Sequence, residues 1–359
     1  MSIAFITDTH AGARSSSSTF REYMKYWYEN HFFADLKARG IKHIIHGGDF
    51  FDNRNAITLQ DIDFIVNWFA KQLVDGDFHM TIVLGNHDVA YKNTNRIHSL
   101  SMLQAAAPKN VKVVEECELT EIDGQWYAFV PWINSSNYDS TVKFLDELIS
   151  KPSIIVVGHF EIQGAKMYAN SSLCEHGLDA AMFSKFKEVW SGHFHHKSNI
   201  GNVKYMGSAF HLNWQDYGDA RGYHVYNAAK DVIEFVENEY SLFIEVLFDK
   251  DTFAVMTDDE YEDAFSSKFV RIVVDSDYDQ VALLDTISRV NRCKPHDLQV
   301  INHVLISTDA NKTTDDIEVK VAKSTLEYIE SYIVNETDAV KLMVSELYTE
   351  AHDRQLKGE

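Results

Sequence analysis

The sequence predicts an α/β (α+β) protein: a two-layer β-sandwich flanked by helices, followed by a small α/β domain and a C-terminal helical pair. Strand-like and helix-like stretches alternate over the first ~150 residues, and strands crowd together afterwards. Beyond a polar run near the C-terminus, two stretches carry apolar residues at helical spacing. The chain has 359 residues, 45% of them apolar and 13% aromatic, enough for one large or two ordinary domains with a substantial core.

Ser2 to Thr7 reads as the first strand and ends in Asp8-Thr9-His10, then Gly12. On extended backbone the carboxylate and the imidazole, one residue apart, point the same way and can share a cation. Thr19 to Arg39 has helical spacing through Phe20, Tyr23, Trp27, Phe32 and Leu36, with Gly40 as its C-cap. A second strand, Ile41 to His46, runs into Gly47-Gly48-Asp49-Phe50-Phe51-Asp52, where glycines permit close backbone approach. Leu59 to Leu73 is helical again, and His79 to Leu84 is a third strand that turns at Gly85 into Asn86-His87-Asp88. In that turn Asn86 offers a neutral oxygen, His87 an imidazole, and the Asp88 carboxylate is placed to orient that ring.

Further strands are predicted at Val111 to Val114, Leu119 to Ile122 and Trp126 to Val130, and a helix at Tyr138 to Ile149. Ser153 to Val157 ends in Gly158-His159, and Glu188 to Trp190 leads into Gly192-His193-Phe194-His195. Val203 to Met206, Gly222 to Tyr226, Val232 to Val236 and Leu242 to Leu247 are short strands expected to complete the sandwich. The acidic run Asp258 to Asp263 then separates it from a strand at Phe269 to Val274, a helix at Val281 to Val290 and a strand at Leu298 to Ile301. Residues 1–248, 249–306, a polar linker at 307–316 and a helical segment at 317–357 are the expected divisions.

Composition excludes several classes. Cys117, Cys174 and Cys293 are odd in number and far apart, so neither a disulfide framework nor a zinc ribbon is indicated, and a reducing, cytoplasmic setting fits. No basic leader precedes the first strand and no run approaches ~18 apolar residues, so secretion and membrane spanning are not expected. A formal net charge of -21 argues against broad charge-driven binding to nucleic acid. A phosphate-bearing substrate would then need metal ions or a basic partner.

Asp8, His10, Asp49, Asn86, His159, His193 and His195 are seven nitrogen and oxygen donors at five strand ends. Seven are too few for two separate cages but enough for two adjacent cations if one carboxylate bridges, and Asp49 is the central one. Mixed imidazole and carboxylate donors suit Mn, Fe or Zn better than Ca or Mg. Two cations about 3.5–4 Å apart are what phosphoester hydrolysis uses.

The ordered set Asp8-x-His10, Gly48-Asp49, Gly85-Asn86-His87-Asp88, Gly158-His159 and Gly192-His193-x-His195 resembles the calcineurin-like metallophosphoesterase signature. Gly48 to Asp52, Val189 to His195 and Arg221-Gly222-Tyr223 narrow the resemblance to SbcD-type DNA double-strand-break repair nucleases. The resemblance implies a DNA exonuclease and endonuclease with two divalent ions per chain, Mn or alternatively Mg. It implies that Asp8, His10, Asp49 and His195 hold one ion and that Asp49, Asn86, His159 and His193 hold the other. His87 would protonate the leaving sugar oxygen or stabilise the developing charge, with Asp88 orienting it. At Asp52 archaeal and eukaryotic relatives commonly carry histidine, whereas the bacterial and phage branch resembles this chain in using Asp. Tyr91 and Lys92, after the central turn, are candidate strand contacts, with a solvated lysine as the bland alternative. The resemblance also implies a DNA-capping role for 249–306, docking of an SbcC-type coiled-coil ATPase on 317–357, and a homodimer formed through Leu59 to Leu73 and the stretch near Ile97 to Leu103.

His31, His43, His79, His98, His176, His224, His296, His303 and His352 match no motif and read as surface or ordinary core residues. His46 and His196 adjoin motifs and read as supporting or exposed residues. A phosphomonoesterase or protein phosphatase on the same core is the main competing activity, although Asp52-Asn53-Arg54 stands where protein phosphatases resemble Asp-Arg-Gly. A scaffold that has lost catalysis is the alternative from a different class, opposed by the intact donor set.

Overall fold

Along Gln125–Val130, Tyr127 and Phe129 face one side while Ala128 and Val130 face the other, and all four are buried. A strand covered on both faces has to lie inside a layered fold. In this computed structural model, which describes residues 2–148, 153–166, 172–275 and 277–302, the chain divides into two compact units, the first Met1–Leu242 and the second starting at Phe243.

The first unit contains, in chain order, β1 (Ser2–Ile6), β2 (His43–His46), β3 (His79–Val83), β4 (Val89–Tyr91), β5 (Thr94–His98), β6 (Val111–Val114) and β7 (Glu118–Ile122). It continues with β8 (Gln125–Val130), β9 (Ile155–His159), β10 (Glu188–Gly192), β11 (Ser198–Ile200), β12 (Val203–Tyr205), β13 (Gly222–Asn227) and β14 (Val232–Glu237). One sheet has the order β14-β13-β1-β2-β3-β6 and the other β11-β12-β10-β9-β8-β7. In the first, β1, β2, β3 and β6 are mutually parallel. In the second, β12, β10, β9 and β8 are parallel, and antiparallel strands flank both parallel blocks.

Ile3, Phe5, Ile45 and Val83 of the first sheet meet Tyr127, Phe129, Val157 and Trp190 of the second, which makes the sandwich. The outer face of the second sheet is sealed by Leu145 and Leu148 of the helix Tyr138–Leu148. An aromatic helix covers the first sheet, with Phe32 4.9 Å and Trp27 6.0 Å from the ring of Tyr223. Its α-helical parts, Ser18–Trp27 and Phe33–Arg39, flank a π-wound turn, Tyr28–Phe32, and Gly40 closes it in a left-handed cap at φ 67°. The wider turn sets Tyr28, Phe32 and Phe33 all inward, a departure that simple 3.6-residue spacing does not reveal. Leu59–Ile62, Asp63–Phe69 and Ala70–Asp75 repeat the arrangement.

In the second unit β15 (Phe243–Leu247), β16 (Phe269–Val274) and β17 (Asp297–Asn302) form a parallel sheet, covered by helices including Gln280–Arg292. Leu242 to Leu247 was expected to complete the sandwich; instead Phe243 pairs with Phe269 and Leu247 with Val273. Apolar content marks a strand but not its partner. The acidic run expected to separate the domains is itself a helix, Asp258–Phe265, with a Thr257–Glu260 capping box. Acidic residues in a first turn favour the positive end of the helix dipole, and Tyr261 and Phe265, four apart, bury one face. The linker at 307–316 and the helical segment 317–357 lie outside the described residues. Among the described residues no helix is long and apolar enough to cross a membrane.

Candidate metal centre

The carboxyl ends of β1, β2, β3, β9 and β10 gather on one edge of the sandwich, the place where parallel strands present their loops to a ligand. All seven predicted donors arrive there. Asp8, His10 and His195 offer ligand atoms within 4.8 Å of one another, and Asp49, His159 and His193 do the same. Asn86 joins the second group, its Oδ1 lying 3.0 Å from both His159 Nε2 and His193 Nδ1.

Asp8 and His10 do share one group, though not on extended backbone. Asp8, His10 and Asp49 have φ of 51°, 48° and 53°, and His193 has 89°, all in the left-handed region. For non-glycine residues this costs roughly 1–2 kcal/mol apiece. The conformations are held by main-chain bonds between the first two loops: Asp8 N–H donates to Gly48 O at 3.0 Å, His10 N–H to Asp49 O at 3.2 Å and Ala11 N–H to Phe50 O at 2.7 Å. Gly85 serves by its size. A Cβ there would lie 2.2 Å from Asp49 Oδ1 and 2.3 Å from Asp49 N.

Asp88 does not orient His87. It is 1% exposed, and its Oδ2 accepts the N–H groups of Asp49 and Gly85, both at 2.9 Å, while Oδ1 accepts those of Phe50 and Phe51 at 3.1 and 3.2 Å. Backbone amides at a tight crossing outcompete a neighbouring ring for a buried carboxylate. The anchor of His87 is the Asp52 carbonyl, 2.5 Å from Nδ1. A carbonyl only accepts, so Nδ1 donates and Nε2 is left for other work.

The remaining imidazoles are held in the same manner. His159 Nδ1 donates to Gly47 O at 2.9 Å, turning Nε2 to Asp49 Oδ2 at 3.2 Å. His10 Nδ1 lies 3.2 Å from Asp52 Oδ1, so the Asp52 side chain supports His10 while its carbonyl supports His87. His46, fully buried, accepts from Gly48 N–H on Nδ1 and therefore donates Nε2–H to Thr9 Oγ1 at 3.1 Å, a supporting role. His196 Nδ1 lies 2.8 Å from Asp219 Oδ2, clear of both donor groups.

These surroundings fit cations. Burial alone would push His159 and His10 down; the Asp49 carboxylate beside His159, and the hydrogen bond to Asp52 with the charges of Asp49 and Asp8 around His10, override it and hold both up at about 9. A cation bound there would displace those protons, since a ligating imidazole gives up its proton to the metal. His193 is pushed down to about 3 and His195 well below its ordinary value, chiefly by burial, which keeps both rings neutral as ligands must be. His10 Nε2 and His195 Nε2 are 3.0 Å apart, the spacing of two ligands ~2.1 Å from one ion at a right angle.

Other supports carried no spacing signal. Buried Asp216 accepts the amides of Leu212 and Asn213 at 2.8 and 3.1 Å and the Arg221 guanidinium at 2.7 Å; Arg221 also donates to the carbonyl of His195. Arg221 stood out in the sequence only as part of Arg221-Gly222-Tyr223. The Trp132 ring packs 5.5 Å from His193 and 5.9 Å from His159. Tyr91 and Lys92 are exposed on the β4–β5 hairpin, and neither lines the cavity of about 450 Å³ that His10, Asp49, Asn86, His87, His193 and His195 enclose.

Paired His/Asp groups at the strand ends of a mixed sandwich define a metal-dependent hydrolase centre. The chain belongs to the calcineurin-like phosphoesterase family, whose sequence profile matches residues 1–197. It is similar to exonuclease subunit 1 of Enterobacteria phage T4, at 29% identity over 320 residues, spanning 88% of this chain and 89% of that protein. Among solved structures it resembles an archaeal phosphodiesterase at 13% identity and a TM-score of 0.33, covering 66% of this chain and all of that one. It also resembles the Pseudomonas putida nuclease MPE at 16% identity and a TM-score of 0.30, covering 65% of this chain and 87% of that one. At those scores neither structure informs the reading of function.

Proposed function

We propose that this chain is a Mn-dependent DNA exonuclease and endonuclease, with Mg as the alternative ion, and the nuclease subunit of a recombination or repair complex. The observation that carries the reading is the pair of donor groups facing one cavity with His87 beside them and free at Nε2. Similarity along most of the chain to a phage exonuclease subunit supports DNA as the substrate and a partner subunit.

Asp8, His10, Asp49 and His195 would hold one ion and Asp49, Asn86, His159 and His193 the other. Bound ions supply Lewis acidity toward phosphoryl oxygens and lower the pKa of water. His87 performs the proton step. With Nδ1–H fixed on the Asp52 carbonyl, the imidazolium form of the ring gives its Nε2 proton to the sugar oxygen as that P–O bond breaks and the oxygen of water takes its place on phosphorus. Asp88 acts at one remove, fixing the loop that carries Asp49.

The acidic chain, at -21, draws its remaining affinity for DNA from elsewhere. An SbcC-type ATPase docked on 317–357 would supply basic surface, the α/β segment 249–306 would cap the DNA, and two copies would pair near Leu59 and Ile97, 81% and 55% exposed. Comparing co-purification of the full chain and one ended at Thr314 with that ATPase tests the docking, and equal recovery overturns it. The activity is tested by assaying the chain with Mn on single-stranded DNA, duplex DNA and p-nitrophenyl phosphate. Metal-dependent DNA cleavage is expected; preference for the monoester, or Mn bound without any hydrolysis, overturns the reading.

A further inference from the structure

Directly after the first donor loop the backbone does something costly. Arg14, Ser15 and Ser16 have φ of 56°, 58° and 62°, three successive non-glycine residues in the left-handed region, following Gly12 at 91°. Single residues visit that region at about 1–3 kcal/mol each, and runs of them persist only where the surroundings insist. Here the insistence comes from both ends of the turn. Ala13 is buried and its N–H donates to His10 O at 2.9 Å, while Ser16 N–H donates to Gly12 O at 2.8 Å.

The turn lifts Arg14 to the rim of the metal cavity, where it is the one arginine or lysine among the described lining residues. Its Nε donates to the carbonyl of Leu212 across the rim at 3.0 Å. That carbonyl is itself a fixed post, because buried Asp216 accepts the amides of Leu212 and Asn213 and is gripped by Arg221. Anchoring through Nε leaves the two terminal nitrogens as a preset fork, the geometry that matches two oxygens of a phosphate.

We propose that Arg14 binds the phosphate next to the scissile one on the substrate strand, a positioning contact that rests on the nuclease reading above. Depth separates the two phosphates. Asp8, His10, Asp49 and His159 are at most 3% exposed, so the phosphate they serve lies at the cavity floor, whereas Arg14 is exposed at its mouth. In a chain of net charge -21 the location of this one cation also gives the strand a direction of approach.

The test is a cycle between protein and substrate. Single-stranded oligonucleotides carry one neutral methylphosphonate, placed in turn at each phosphate flanking a defined cleavage point, and kcat/KM is measured for the parent chain and for Arg14→Ala and Arg14→Lys. For the parent, one flanking position should cost about tenfold or more, the order expected for a charge-assisted bidentate contact. In Arg14→Ala that penalty should shrink below about twofold, with two Mn still bound per chain by direct metal analysis. Arg14→Lys, which keeps the charge without the fork, should fall between them. A penalty of the same size in Arg14→Ala and the parent overturns the assignment, and so does loss of Mn from Arg14→Ala, which would make the turn a support of the metal site. A parent chain that leaves unmodified DNA uncut overturns the nuclease reading itself.

Discussion

Asp88 Oδ2 accepts the backbone N–H of Asp49 at 2.9 Å, so the carboxylate of one loop fixes the amide of another loop's central donor. The same side chain takes the amides of Gly85, Phe50 and Phe51. Asp88→Asn would turn an NH₂ toward two of these donors. The expected outcome is a loss of about 2–4 kcal/mol in denaturant unfolding, with weakened metal binding. A variant with unchanged midpoint and unchanged Mn affinity would show that the crossing does not depend on charge.

Asp49→Ala removes the carboxylate assigned to both ions. Less than two Mn per chain and loss of DNA hydrolysis are expected, read by metal analysis alongside a nuclease assay. Two tightly bound Mn with parental turnover would exclude a bridge at this position.

His87→Ala should retain two Mn and lose about 10²–10⁴-fold in kcat, the usual worth of a proton donor. Because the ring hangs from the Asp52 carbonyl and not from Asp88, its loss should leave stability within about 1 kcal/mol. A variant that loses metal instead would make His87 a ligand.

His224, on β13 and 5.1 Å from the ring of Phe235, gives a pH prediction away from the metal centre. Burial, helped by Lys197 and Lys204, pushes it from 6.5 down to about 3. Between those values the unfolded chain binds a proton that the folded chain refuses, so stability falls as pH drops below 6.5. His224→Phe lacks that term. Between pH 7.5 and 5 the parent should lose about 2 kcal/mol more than the variant in denaturant unfolding. Equal losses would mean that the ring reaches water.

What the sequence disclosed follows from what local patterns encode. The seven donors were legible because each sits at a strand end behind a motif, and strand ends are where period-two apolar runs stop. Asp216 was not, since it lies in a polar loop and acts only through amides that folding brings to it. Asp88 was read against its sequence neighbour His87, yet its partners Asp49, Phe50 and Phe51 lie nearly forty positions away. Short strands such as Phe243–Leu247 were recognised but placed in the wrong sheet, because pairing is decided by long-range register.

The separation along the chain of the two halves of the metal centre has a consequence for synthesis. His10 and His195 face each other across 185 residues, so the first donor group cannot exist until the segment after β10 has left the ribosome. At elongation rates of about 5–20 residues per second, that interval is roughly ten to forty seconds. During it Asp49, Asn86 and His159 are added in turn, but the first group still lacks His195 and the second His193. Topology alone keeps both donor groups incomplete until the turn after β10 has been made.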